Sequence, residues 1–300
     1  MKAIFEAIIM GIIQGATEFL PVSSSGHLAI YQRLTGQELD SGLLLTALLH
    51  MGTLLAVVIC FYKTIKLLLI ELWHMIKDIA KRQFKWSEMN AERRTVVMMI
   101  LSTLMLIPFV LPLIPGKEGM RSIKDLLDPV TKGQYVWLVG LSLLVTAALL
   151  FVSDNLTRRR RALHHVATEK DAVVIGLTQG LAAAFPGLSR SGSTTSAALI
   201  SGLDKKYAAQ YSFVLSIPAV LGANLLELMD ALKPAEAGSA VSVNVAAIIV
   251  GIVVALVVGI LAIRLFLWLL RENKYYIFAI YCAALGAIVI VTDLILTITA

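Results

Sequence analysis

An all-α polytopic membrane protein is what the sequence predicts, on three observations: its composition, the length of its apolar runs, and an internal repeat. Of its 300 residues 58% are hydrophobic and 15% charged, with a mean hydropathy of +0.82, which is too apolar for a water-soluble domain. Runs at 43–62, 95–115, 135–153, 207–229, 241–263 and 275–292 each approach the ~20 helical residues that span a bilayer. Two further apolar stretches, 3–22 and 172–185, end at Pro21 and Pro186 with Gly and Ser close behind, the mark of broken, re-entrant helices.

The two broken stretches are copies of one another. Gly11, Gln14, Gly15 and Pro21 recur as Gly176, Gln179, Gly180 and Pro186 at an offset of 165, and Gly26 and Gly36 recur as Gly192 and Gly202 at 166. Three spans separate the copies, and an odd number inverts the second relative to the first. The expected architecture is therefore six transmembrane helices plus two re-entrant helical hairpins in an inverted-topology repeat. It forms a single integral membrane domain over 1–300, with halves 1–153 and 172–300.

Charge sets the expected orientation. Loops 63–94 and 153–171 hold eight and five Lys and Arg residues, and the positive-inside rule makes them cytoplasmic. Parity then puts 116–134 and 230–240 outside. Apolar residues among the lysines of 63–94 predict either a helix lying along the interface or an extension of the preceding span. The net charge of +6 resides in these short loops, so nucleic acid is not an expected partner. Glu6 interrupts the first apolar run, so a retained segment is expected rather than a cleaved signal. Cys60 and Cys282 fall inside spans without metal-ligand spacing and read as packing residues.

Inverted repeats with broken helices place a polar site near the bilayer midplane, where half-helix N-termini offer free N–H groups to an anion. In the first break Gln14 and Glu18 share a helix face, Pro21 ends the helix, and Ser23, Ser24, Ser25, Gly26 and His27 follow. Ionisable residues at membrane depth cost about 2.5–3.5 kcal/mol on insertion scales, so Glu18 and His27 are functional candidates, while each serine alone reads as a turn residue. The second break, Pro186-Gly187-Leu188-Ser189-Arg190-Ser191-Gly192-Ser193-Thr194, is built to hold an oxyanion, and the planar fork of Arg190 suits phosphate. One break holds carboxylate and imidazole; the other holds Arg190 and has Ala183 where Glu18 would repeat. That division of labour fits phosphoryl transfer. A structural Arg190–Glu18 pair is the plainer alternative. His50 reads as polar packing or support for the site, and His164 and His165 as part of a solvated basic segment. Walker A, Rossmann and HExxH patterns are absent.

These motifs resemble the undecaprenyl-diphosphatase, or bacitracin-resistance, family, which is marked by an (E/Q)xxxE segment, a Ser-rich stretch ending in His, and PGxSRSxxT. They stand here as Gln14 to Glu18, Ser23 to His27 and Pro186 to Thr194. The resemblance implies a hydrolase of the bacterial inner membrane, its site facing outward, which converts undecaprenyl pyrophosphate to the monophosphate. It recycles the lipid carrier for peptidoglycan and confers bacitracin resistance. It further implies that Arg190 holds the pyrophosphate and that Glu18 and His27 contribute catalysis. Ser23, Ser24, Ser25, Gly187, Ser189, Ser191 and Thr194 would line the site. A divalent cation, Mg or Ca, would sit at Glu18 and Gln14 if one is used, and no organic cofactor is expected; Gln14, a permitted variant, weakens that metal role. A homo-oligomer is compatible with all of this.

The expected mechanism has a first-loop serine, Ser24 before Ser23 or Ser25, attacking the terminal phosphorus. His27 takes its proton while Glu18 orients the imidazole or a metal. Attack by His27 itself or by an activated water stays open. The rival class is a transporter or flippase of polyprenyl phosphate, since inverted repeats and broken helices are common in transporters.

Overall fold

The computed structural model describes residues 2–35, 42–111, 114–116, 119–121, 123, 136–159, 163–231 and 244–299. The chain opens with α1 (Lys2–Phe19) and α2 (Ser24–Thr35), joined through the Pro21 break, followed by α3 (Gly42–Cys60) and α4 (Tyr62–Ala80). A 3-10 turn at Trp86–Glu88 leads to α5 (Ala91–Leu104) and α6 (Ile107–Val110). Strands β1 (Ile114–Gly116) and β2 (Gly119–Arg121) pair antiparallel, a small hairpin that the all-helical expectation did not contain. The rest is helical: α7 (Val136–Arg159), α8 (Glu169–Ala184), α9 (Arg190–Ser201), α10 (Lys205–Ala231), α11 (Val245–Arg271) and α12 (Tyr276–Thr299).

Among the described residues, five segments are long and apolar enough to cross a membrane: Ala91–Val110, Val136–Arg159, Lys205–Leu226, Val245–Arg271 and Tyr276–Ile295. A sixth pairs Leu45–Cys60 with Tyr62–Ala80 across an 86° bend. Each expected span overlaps one of these segments, but 95–115 runs through α5 and α6 into β1, and the count reaches six only if α3 and α4 form one bent span. At that bend α4 turns sharply away from α3 rather than prolonging it as a straight helix. Arg93 on α5 fixes that turn through Glu71 Oε2 at 3.2 Å and Asp78 Oδ2 at 2.8 Å.

Boundaries moved where capping chemistry outweighs hydropathy. The run expected from 172 begins at Glu169, because Thr168 and Asp171 form a capping box that satisfies the first free N–H groups. His164 and His165 are not simply solvated. His164 Nε2 lies 2.9 Å from Asp171 Oδ2 and His165 Nδ1 lies 2.8 Å from Asp204 Oδ2, tying their loop to the starts of α8 and α10. Cys60 and Cys282 are free thiols.

The helix–break–helix unit α1–α2 and its counterpart α8–α9 end in helices of 12 residues each. Packing follows the same correspondence: α1 lies on α11 as α8 lies on α5, and α3 meets α11 as α10 meets α5. The repeated glycines explain the close approach. A Cβ on Gly15 would stand 2.7 Å from Ala255 O, and one on Gly176 would stand 2.5 Å from Ser102 O. Edge-on aromatic contacts, Phe19–Phe213 at 5.7 Å and Phe213–Phe266 at 5.1 Å, then lock α1, α10 and α11 together beside the break.

Gly15→Leu should push α1 off α11 and lower stability by at least the ~1–3 kcal/mol typical of overpacking. Gly222→Ala on α10, where an added Cβ meets nothing within 4 Å, should be neutral or slightly stabilising. Thermal unfolding of the purified variants in detergent checks both.

Candidate active site

Both breaks use the same local chemistry to start their second helix. In the first, Ser23 Oγ accepts from Gly26 N at 3.2 Å and lies 3.3 Å from Ser25 Oγ. In the second, Ser189 Oγ accepts from Gly192 N at 3.2 Å and lies 3.4 Å from Ser191 Oγ. Positive φ appears at Ser23 (71°) and Gly187 (86°), where the chain reverses between helices. The residue that follows the capping serine opens each helix: Ser24 in α2 and Arg190 in α9.

Those two repeat-equivalent positions converge on one carboxylate. Ser24 Oγ donates to Glu18 Oε2 at 2.7 Å, and Arg190 Nη2 pairs with Glu18 Oε1. Gln14 Nε2 also donates to Glu18 Oε2, at 2.9 Å, and His50 Nε2 stands 3.7 Å from the same oxygen. Glu18 is 7% exposed, and a buried carboxylate persists only when its oxygens are matched by donors and countercharge. The hairpin tips touch as well: Ser191 Oγ donates to Leu20 O at 3.3 Å, and Gly187 N approaches Ser25 Oγ at 3.5 Å. Ser189 N is held by Thr146 Oγ1 of α7 at 3.1 Å.

Glu18, Arg190, Ser191, Thr194, Ser212 and Ser216, with Phe19 and Phe213, line a cavity of about 10 Å³, room for roughly one water. Thr194 Oγ1 donates to Arg190 O at 2.8 Å and lies 2.5 Å from Ser212 Oγ. The pocket is thus walled by hydroxyls and closed by the Arg190–Glu18 pair.

His27 stands apart from this cluster. Its Nδ1 lies 2.8 Å from Ser23 O and its Nε2 2.7 Å from the Tyr281 hydroxyl, with the two rings near coplanar at 6°. The expected chain from serine to His27 to Glu18 is not the arrangement present, since Ser24 bonds Glu18 directly. The reason is helical geometry: Ser24 and His27 share α2, but the His27 ring folds back on its own first turn. Among the described residues no group of three or more His, Cys, Asp or Glu is placed to hold a metal ion. One carboxylate and the Gln14 amide oxygen, buried without a partner among the described residues, make an incomplete ligand set that phosphate oxygens would have to complete.

Sequence reasoning left His50 undecided and missed Ser212, Ser216, Tyr281 and Thr146. A signal was present for two of them. Ser212 and Ser216 sit four apart in an apolar run, and Ser216 corresponds to His50 in the repeat.

Thr194→Val keeps the shape but leaves Ser212, 4% exposed, without its partner. It should cost about 1–3 kcal/mol. Thr178→Val on the outer side of α8, where the hydroxyl donates only to Val174 O, should stay within about 0.5 kcal/mol of the parent. Unfolding in detergent separates the two.

The family model described as bacitracin resistance protein BacA matches residues 7–288. The chain is 36% identical to an undecaprenyl-diphosphatase of Methanosphaera stadtmanae, covering 99% of this chain and 100% of the relative. It is 37% identical to one from Alkaliphilus metalliredigens over 97% and 98%, and 39% identical to one from Bacteroides fragilis strain YCH46 over 96% and 98%. Matched along almost its whole length, the chain belongs to the bacitracin resistance protein BacA family.

Proposed function

We propose that this multi-pass membrane protein hydrolyses undecaprenyl pyrophosphate to undecaprenyl phosphate and inorganic phosphate. That activity regenerates the carrier lipid and removes the lipid that bacitracin recognises. The observation that carries this reading is the meeting of Ser24 and Arg190 on Glu18: a nucleophile and an anion clamp on one buried proton acceptor. The relatives are named for a diphosphatase, which favours hydrolysis over transport.

The architecture we infer is six spans with two re-entrant hairpins, in inverted halves 1–153 and 172–300. Duplicated caps and exchanged packing partners support it. Lys and Arg counts favour a cytoplasmic position for 63–94 and 153–171, and the resemblance to the undecaprenyl-diphosphatases favours an outward-facing site in the inner membrane.

In the mechanism, the terminal phosphate displaces Glu18 from Arg190, whose fork takes two phosphate oxygens. The freed carboxylate accepts the Ser24 proton as Ser24 Oγ bonds to the terminal phosphorus. The bond from that phosphorus to the bridging oxygen breaks, and undecaprenyl phosphate leaves. Free N–H groups at the start of α9, with Ser191 and Thr194, steady the equatorial oxygens. Water then attacks the phosphoserine, His27 takes its proton once its Nε2 leaves the Tyr281 hydroxyl, Glu18 returns one to Ser24, and phosphate departs. Ser24 is favoured over its neighbours because Ser23 Oγ is occupied as a cap and Ser25 Oγ faces Ser23 Oγ and Gly187 N rather than Glu18. A divalent cation would be held by Glu18 and Gln14 together with the phosphates and would supply charge neutralisation.

Phosphate release from a C55 polyprenyl pyrophosphate by the purified protein tests the reading. Glu18→Gln and Ser24→Ala should each lose about 10²- to 10⁴-fold. His27→Ala should release lipid monophosphate once per enzyme and retain a phosphate on Ser24, visible by mass spectrometry. A fully active Ser24→Ala would exclude the serine route and favour direct attack by water.

A further inference from the structure

The elbow between α3 and α4 carries a second feature that the catalytic site does not use. Val58 at the end of α3 and Tyr62, Leu69 and Trp73 on α4 enclose a groove of about 580 Å³, with Lys66 and His74 as its polar members. That volume falls within the ~300–1,000 Å³ of ligand pockets. The walls lie along one stripe of α4 at helical spacing, and the 86° bend gives them their concavity.

Charge on α4 is sorted between its faces. Its carboxylates, Glu71 and Asp78, are held by Arg93 on the side where Leu68 and Met75 pack against Val96 and Val214. Its cations lie toward the other side. Lys77 Nζ stands 4.9 Å over the Trp73 ring and Lys63 Nζ 5.9 Å over the Tyr62 ring. Lys66 has no carboxylate within ion-pair reach among the described residues. The acidic group nearest His74 is Glu71, at 4.0 Å. An open groove with apolar walls, interfacial aromatics and an unneutralised lysine, at the turn of a spanning helix, has the chemistry of a phospholipid: acyl chain below, anionic phosphate above.

We propose that the α3–α4 elbow binds an anionic phospholipid of the adjoining leaflet, its phosphate on Lys66 and His74 and one acyl chain against Val58, Leu69 and Trp73. The site is separate from the one at Glu18, and its occupant is a bilayer lipid and not the polyprenyl substrate.

Native mass spectrometry of the purified protein, titrated with phosphatidylglycerol, phosphatidylcholine of the same acyl chains, glycerol phosphate or C55 polyprenyl phosphate, tests this. Phosphatidylglycerol should bind the parent more tightly than phosphatidylcholine, and glycerol phosphate should not bind. Lys66→Gln should weaken phosphatidylglycerol about fivefold, the contribution of one surface lysine, and Lys66→Glu should weaken it further. Trp73→Ala should weaken both phospholipids. Lys85→Glu, at a lysine paired with Glu88 at 2.8 Å outside the groove, should leave them unchanged. Equal binding of the two phospholipids, indifference to Lys66, or tighter binding of the C55 lipid that Lys66→Glu abolishes would each overturn the proposal.

Discussion

A single buried carboxylate organises this protein. Glu18 sits 7% exposed among packed helices, and an unpaired buried charge there would be costly. Four side chains answer it: Arg190, Ser24, Gln14 and His50. They come from α1, α2, α3 and α9, so the pairing of one acid fixes how four helices and both breaks meet. Small residues at the breaks and along α1 allow that approach, and the aromatic contacts of Phe19, Phe213 and Phe266 hold it from the apolar side.

The repeat explains how one device came to hold two roles. The caps are duplicated almost bond for bond, Ser23 with Gly26 and Ser189 with Gly192. The residue that opens each helix differs: a hydroxyl at 24, a guanidinium at 190. The partner residues differ too. Gln14 donates to Glu18, while its counterpart Gln179, with Ala183 four residues on in place of a carboxylate, has both side-chain polar atoms buried without a partner among the described residues. Duplicated backbone geometry thus brings two helix N-termini to one carboxylate, and divergent side chains place a hydroxyl on one and a guanidinium on the other.

Much of this was legible in the sequence. Apolar helices follow from apolar length and breaks from Pro21 and Pro186, because each is a local consequence of helix geometry or lipid solvation. Glu18, Ser24 and Arg190 could be named because charge and hydroxyls stand out against an apolar background. Which groups touch was not legible. His27 bonds Tyr281, more than 250 residues away, and no spacing rule links them. His50 and Ser212 looked like ordinary polar residues within spans until α3 and α10 were packed against the breaks. The α4 bend, likewise, is set by Arg93 on another helix rather than by any signal at Phe61.

The most direct test of the central claim is a double-mutant cycle on Glu18→Gln and Arg190→Gln, read by thermal unfolding in detergent. If the two breaks are held together by this pair, each single change leaves its partner's charge uncompensated. The double change should then be less destabilising than the sum of the singles by more than about 0.5 kcal/mol, the usual margin of additivity between independent sites. Strict additivity would mean that Glu18 and Arg190 act independently, and that something other than their pairing closes the site.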